Sequence, residues 1–107
     1  MKDRKEQIKQ KVKELTANFL SRESNNTSLI TVTDANISPD FKNATVFITV
    51  MPQSKEEEVL NFTKRQGKNL REYLKKNMHI KVIPFIVVAI DKGEKNRQKI
   101  DELLREK

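Results

Sequence analysis

Apolar residues in the first part of the chain recur at the spacing of an α-helix. They lie three or four positions apart, at Ile8, Val12, Leu15 and Phe19. This spacing places all four side chains on one face, so it predicts an amphipathic helix over about residues 3–20. Asp3 is a residue type that commonly caps a helix, and the polar residues 21–28 are expected to end it.

The pattern changes to that of strands in the next part of the chain. Residues 29–37 are rich in Ile, Val and Thr, and residues 44–51 alternate in side-chain character. Residues 38–43 between them have turn chemistry, so we expect an antiparallel hairpin. Residues 83–90 are nearly all apolar, which predicts a third strand that is buried on both faces, with Pro84 at its start.

A second helical stretch is predicted between these strands, over about residues 54–77. Ser54 is its expected cap, and three glutamates at 56–58 occupy the first turn, where the helix dipole favours negative charge. Gly67 lies in the middle of the stretch. Because a glycine inside a helix costs about 1 kcal/mol relative to alanine, we expect a kink, a break or a close backbone contact there.

Two rows of side chains run along this second stretch. One row is expected to be buried, and consists of Thr63, Gly67, Leu70 and Leu74. The other, which we call the cationic row, consists of Lys64, Lys68, Arg71 and Lys75. Each row repeats at helical spacing, so a single helix edge would be buried while the neighbouring edge presents positive charge.

The distribution of charge supports a functional interpretation of the cationic row. The chain carries a net charge of +7, of which residues 64–81 contribute +6 and residues 1–22 contribute +4, while residues 23–63 are acidic. Positive patches of this kind indicate an anionic partner such as a nucleic-acid backbone. The alternative is an ordinary solvated helix face, which Glu72 favours as an i,i+4 partner of Lys68 and Lys76.

Several classes of chemistry find no support in the sequence. The chain has no cysteine and only two glycines, which excludes a thiol site, a P-loop and a GxxG phosphate clamp. His79 is the only histidine, and we interpret it as a surface or phosphate-side residue at the end of a helix rather than as a catalytic group. Asp40 and Asp91 are interpreted as turn and cap residues. The chain has six aromatic residues, and Phe19 and Phe47 are expected to be structural, so few remain for stacking on unpaired bases. Binding should therefore depend on charge and shape rather than on base reading.

The length and the ends of the chain suggest a simple organisation. At 107 residues it is expected to form one domain, over residues 1–107, with elements in the order αββααβα. The last of these is a short helix that carries Ile100, Leu103 and Leu104. The sequence shows no apolar run typical of a signal peptide or a membrane span, so cytoplasmic residence is expected.

Several segments occur in an order and spacing that resemble a known family. They are LITVT at 29–33, ISPDFKNATVFI at 37–48, GKNLR at 67–71, KVIP at 81–84, then Asp91, Ile100 and Leu103-Leu104. Together they resemble ribosome-binding factor A, a bacterial assembly factor of the small ribosomal subunit. The resemblance runs from about residue 4 to residue 104, and its most specific part is the Ser-Pro-Asp segment that leads into an alternating strand.

The resemblance implies a fold and a function. The fold is an α+β, type II KH-like fold of order αββααβ, with a three-stranded sheet. In the family, an interrupted helix marked Ala-x-Gly replaces the GxxG loop; here the matching residues are Arg65-Gln66-Gly67, so the alanine is replaced by Arg65. The polar residue that often follows the family's proline is Phe85. The implied function is binding to the 30S subunit and to precursor 16S rRNA during late maturation, without catalysis or a cofactor.

From the residues and the resemblance together we expect one RNA-binding surface made by the first helix and the interrupted helix. Its members are Arg4, Lys5, Lys9, Lys64, Arg65, Gly67, Lys68, Arg71, Lys75 and Lys81. The expected partners are the small subunit, its precursor, 16S rRNA and an assembly GTPase, and we expect a monomer.

Three other functions are compatible with the sequence. One is a general KH-like nucleic-acid-binding domain that never visits the ribosome. Another is a protein-interaction adaptor that uses the acidic surface around residues 56–58. A third, a small hydrolase, requires a site that the sequence does not show.

Overall fold

The helices and strands follow one another in the order αββααβ. The computed structural model describes residues 4–23 and 28–93. Its elements are α1 (Arg4–Glu23), β1 (Leu29–Ile37), β2 (Asn43–Met51), α2 (Glu56–Arg65), α3 (Gly67–Asn77) and β3 (Phe85–Ile90). This confirms the predicted α+β class and element order. The predicted cap Asp3 and the predicted final helix around Ile100, Leu103 and Leu104 lie outside the described residues.

The three strands form one sheet in the order β1-β2-β3. β1 and β2 pair as the predicted antiparallel hairpin, with a bulge between Val32 and Asp34. β3 pairs in parallel with β2, from Asn43 opposite Phe85 to Ile48 opposite Ile90. β1 and β3 are therefore the two edges of the sheet.

The prediction that the third strand is buried on both faces is wrong. Phe85 is 62% exposed and Val87 is 41% exposed, whereas the alternate residues of β3 pack against the core. The reason is the position of β3: helices pack on one face of this edge strand, so only every second side chain reaches the core. The strand also starts at Phe85, so Pro84 precedes it.

The helices contribute the buried faces that their apolar spacing predicted. Ile8, Val12, Leu15 and Phe19 of α1 are buried, as are Thr63, Leu70 and Leu74 of the interrupted helix. They pack against alternate residues of β2, which also supplies the fully buried Phe47. Gly67 is the exception to the predicted buried row, because it is exposed.

The start of α2 differs from the prediction. Ser54 lies inside a short 3-10 turn, Gln53–Lys55, and α2 begins at Glu56 with Lys55 at its N-cap and no side-chain capping bond. The Lys55 N–H donates to the Pro52 carbonyl at 3.0 Å. The tighter turn therefore occupies the place where a serine cap was expected, while the three glutamates do lie in the first turn of α2.

Candidate nucleic-acid interface

The interruption between α2 and α3 is centred on one residue, Gln66. Its N–H donates to the Phe62 carbonyl at 3.0 Å, and its own carbonyl accepts from the Leu70 N–H at 2.8 Å. Gln66 is therefore the C-cap of α2 and the N-cap of α3. Its side-chain oxygen also accepts a hydrogen bond from Asn69 Nδ2 at 2.8 Å. The predicted break is confirmed, although Arg65 replaces the alanine of the family pattern.

Gly67 is the first residue of α3, and the fold makes no steric demand for glycine there. A Cβ atom added at Gly67 would have no neighbour within 4 Å, and the backbone is outside the left-handed region. The close backbone contact that we considered as an alternative to a break is therefore absent from the described residues. The space beside Gly67 is open to an approaching molecule.

Beside this break lies a surface cavity that we call the β3 groove. It encloses about 460 Å³ between the interrupted helix and the start of β3. Its apolar part comes from Leu70 and from the segment of β3 that begins at Phe85, while Lys64, Lys68 and Arg71 supply positive charge. Three members of the cationic row therefore line the cavity, and Gly67 lies among them.

The cationic row faces away from α1. On α3, Tyr73 packs against Phe19 of α1, with ring centroids 5.7 Å apart, and Arg22 of α1 lies 5.6 Å from the Tyr73 ring centre. Arg71 and Lys75 are each two residues from Tyr73, which is about 200° around a helix. Tyr73 thus marks the side of α3 that contacts α1, and the row projects from the other side.

Lys9 of α1 lies against the β1 edge of the sheet. Its Nζ atom is 3.4 Å from Asp34 Oδ1 on β1, and both side chains are about one-quarter exposed. Lys5 is one helical turn before Lys9. Lys9 therefore lies away from the β3 groove, and RNA binding by Lys5 and Lys9 stays a prediction.

A second cavity brings together two other predicted site residues. Arg4 and Lys81 both line it, and it encloses about 640 Å³ between the start of α1, the turn before β2 and the loop before β3. We call it the Phe41 hollow, after the aromatic residue in its wall. Pro84 lines both this hollow and the β3 groove, so the two cavities are adjacent.

The remaining residues of the predicted surface lie outside both cavities. Arg65 and Lys75 are exposed on α2 and α3 but line neither of them. Four residues outside the predicted RNA-binding surface do line them, namely Phe41, Lys42, His79 and Phe85. These residues are available for binding because they line surface cavities, and the local sequence pattern did not reveal that position. For Phe85 one signal was available, since it directly follows Pro84.

The two aspartates have the turn roles that were predicted. Asp40 Oδ1 accepts hydrogen bonds from the Ser38 hydroxyl at 2.6 Å and from the Lys42 N–H at 3.0 Å. The Ser38 hydrogen bond, followed by that of Lys42, lowers the pKa of Asp40 from its ordinary value of 3.8. Asp91 accepts from Thr33 Oγ1 at 2.6 Å and from the Gly93 N–H at 3.1 Å. His79 is exposed, as expected.

Comparison with known proteins now decides the family. A family profile for ribosome-binding factor A matches residues 3–104. The chain belongs to the ribosome-binding factor A family. Ribosome-binding factor A of Natranaerobius thermophilus is 26% identical over 106 residues, which cover 96% of this chain and 81% of that relative.

Solved structures of the family share the fold. The crystal structure of ribosome-binding factor A from Thermus thermophilus matches with a TM-score of 0.76 and 18% identity, over 84% of this chain and 98% of the other. A homology model of the Thermus thermophilus factor, fitted into a cryo-EM map of a 30S complex, matches with a TM-score of 0.67 and 18% identity, over 76% of this chain and 88% of the other. The fold is therefore KH-like, as members of this family have.

None of the helices within residues 4–23 and 28–93 combines the length and the hydropathy that a membrane span needs.

Proposed function

We propose that this protein binds the 30S ribosomal subunit and precursor 16S rRNA, and assists the late maturation of the subunit by binding alone. In this proposal it acts in the cytoplasm as a monomer with one domain, residues 1–107, and an assembly GTPase is a further partner. The observation that supports it most directly is the β3 groove, in which three cations of the interrupted helix border an open, apolar cavity.

The charges of the groove are available to a ligand. The ion pairs found in the described part of the chain join Lys9 to Asp34 and Lys55 to Glu58, and neither includes a residue of the cationic row. Lys64, Lys68 and Arg71 are exposed and come from successive helical turns. Cations in a line with no carboxylate partner suit the phosphates of a nucleic-acid strand, which contribute most of the affinity in such complexes.

The shape of the groove adds a second argument. Gly67 leaves open space between the cations, so a strand can approach the helix backbone closely. The exposed ring of Phe85 and the apolar residues next to it provide a surface on which a base or a sugar can pack. The groove therefore offers both charge and apolar contact, which a solvated helix face lacks.

The family supports the choice of partner. The Thermus thermophilus relative has been fitted into a map of a complex with the 30S subunit. Membership of the same family makes the small subunit the first partner to test for this chain. The adaptor function that would use the acidic surface around residues 56–58 stays an alternative, and Lys55 pairs there with Glu58 at 3.4 Å.

The test compares two double variants with the same change in net charge. Lys68→Glu with Arg71→Glu reverses two charges of the groove, and Lys11→Glu with Lys76→Glu reverses two exposed lysines that line neither cavity. Both are assayed by co-sedimentation with 30S precursors at physiological salt. We expect the groove variant to lose about tenfold or more in affinity and the control to lose much less.

Two results would contradict the proposal. One is an equal loss of affinity in both variants, which would mean that the loss depends on net charge and not on the groove. The other is binding of the unaltered protein to bulk RNA with no preference for 30S precursors, which would support the general KH-like nucleic-acid-binding function.

A further inference from the structure

The Phe41 hollow concentrates positive charge that comes from separate parts of the chain. Arg4 lies at the start of α1, Lys42 in the turn before β2, and Lys81 in the loop before β3. His79, in the same loop, also lines the hollow. The ion pairs of the described residues do not involve them. One acid, Asp40, also lines the hollow, and its Oδ1 atom is occupied by the Ser38 and Lys42 hydrogen bonds.

The aromatic residue in this hollow has an unusual backbone. Phe41 has a φ of 61°, which is uncommon for a bulky residue and is typical of turns and strained positions. The turn that holds it is closed by the Phe41 N–H, which donates to the Ser38 carbonyl at 3.0 Å, and by the two hydrogen bonds of Asp40. These contacts place the ring partly against the core and partly in the wall of the hollow.

The opposite wall of the hollow is apolar and exposed. Val82 is 60% exposed, and Ile80 beside it is half-buried. An aromatic ring, an exposed valine and several cations together match the two parts of a nucleotide, its base and its phosphate.

We propose that the Phe41 hollow is a binding site for one unpaired nucleotide of the RNA strand that occupies the β3 groove. The base packs against Phe41 and Val82, and the flanking phosphates contact Arg4, Lys42 and Lys81. This inference rests on the proposed function, and it extends that function from phosphate contacts to the recognition of an unstacked base.

The position of the hollow favours a nucleic acid over an acidic peptide. Pro84 lines both the hollow and the β3 groove, so the two cavities are adjacent and a strand in the groove comes close to the hollow. Each cavity contains one phenylalanine and at least three basic residues, Phe85 in the groove and Phe41 in the hollow. An aromatic ring with basic side chains in each of two adjacent cavities matches RNA, in which each nucleotide carries a base and a phosphate. The volume of the hollow, about 640 Å³, is in the range of sites that take small organic ligands.

The first test varies the RNA and leaves the full-length protein unchanged. A short single-stranded RNA is prepared as a series in which each position in turn lacks its base but keeps its phosphate. Affinities are measured by fluorescence anisotropy. We expect one position at which loss of the base weakens binding by about fivefold or more, as for bases that stack on aromatic side chains. A uniform series would overturn the proposal.

The second test assigns that position to the hollow. Val82→Ser changes an exposed side chain, so the core is unaffected, and it should reduce the effect of the abasic position. Lys42→Ala with Lys81→Ala should lower affinity by about fivefold or more, whereas the charge-matched control, Lys11→Ala with Lys76→Ala, should not. The proposal would be overturned if the hollow and control variants lost the same affinity for RNA. It would also be overturned if polyglutamate, at equal charge concentration, displaced the RNA from the hollow.

Failure of this inference can be separated from failure of the proposed function. Co-sedimentation of the unaltered protein with 30S precursors tests the function alone. If the protein co-sediments and the abasic series is uniform, only the nucleotide site is wrong. If it does not co-sediment, the proposed function is wrong.

Discussion

The two edges of the sheet both present lysines, but their surroundings differ. At the β1 edge, Lys9 lies 3.4 Å from Asp34, and the pair is largely covered. At the β3 edge, Lys64, Lys68 and Arg71 border a cavity with an apolar lining, and the described ion pairs leave them out. Under the proposed function, this difference means that net positive charge does not by itself make a nucleic-acid surface. The cations must also lack a carboxylate partner and surround a cavity that a strand can enter.

The largest expected effect is on stability, and it comes from truncating a buried side chain of α3. Leu74 is fully buried below the cationic row. Leu74→Ala should lower the free energy of unfolding by about 2–5 kcal/mol, because it leaves a cavity in the core. Chemical denaturation measures this change. Val82→Ala, at an exposed position, is the control and should change stability by less than about 0.5 kcal/mol; equal effects would mean that α3 is not held by this contact.

The two edges can be compared directly by their contribution to the salt dependence of RNA binding. Lys64→Ala with Lys68→Ala should reduce the slope of log affinity against log salt by about 1.4, since two phosphate contacts are lost on a single strand. Lys5→Ala with Lys9→Ala removes the same charge at the β1 edge and should leave the slope nearly unchanged. A larger change in the slope for Lys5→Ala with Lys9→Ala would indicate that α1, and not the β3 edge, contacts the RNA.

A smaller effect should separate folding from binding at Gly67. Gly67→Ala introduces a Cβ atom that meets no described neighbour, so it should stabilise the fold by about 0.4–1 kcal/mol through the unfolded state. The same variant should weaken RNA binding if the strand approaches the backbone there. Thermal unfolding and anisotropy measure the two quantities. A variant that is both more stable and unimpaired in binding would show that the open space is not used.

The smallest expected effect concerns the turn beside the hollow. Hydrogen bonds from Ser38 and Lys42 favour the charged form of Asp40 and lower its pKa below 3.8. Since the folded pKa is the lower one, the stabilisation is complete above pH 3.8 and is lost as the pH falls through the folded pKa. Asp40→Asn should therefore flatten the pH dependence of stability below pH 3.8. An unchanged curve, measured by denaturation across that range, would contradict this role.

The sequence predicted most elements of the fold because their signals are local. Helical spacing located the buried side chains of α1, and the change to alternating residues located β1 and β2 almost to the residue. The break at Gln66 followed from one glycine in a helical pattern. The serine cap of α2 was predicted wrongly, since a 3-10 turn and a cap have similar local patterns.

The candidate site was predicted only in part. Spacing correctly placed Lys64, Lys68 and Arg71 on one side of a helix, away from its buried face. It did not identify Phe85 as a surface residue, since a phenylalanine in an apolar segment has the same pattern whether it is buried or exposed. It placed Phe41 in a turn but did not show that the ring lines a cavity. Nor did it show that Arg4 and Lys81, which are far apart in the chain, line one cavity with Lys42 and His79.

By itself, the sequence determined the order of the elements, the buried face of each helix and the side of α3 that carries the cations. Each of these depends on the period of a helix or a strand, which is a property of neighbouring residues. Only the tertiary structure decided that Lys9 meets Asp34 while the cationic row meets β3. The reason is that packing against the sheet sets the rotation of each helix about its own axis, and that rotation determines which charges become neighbours.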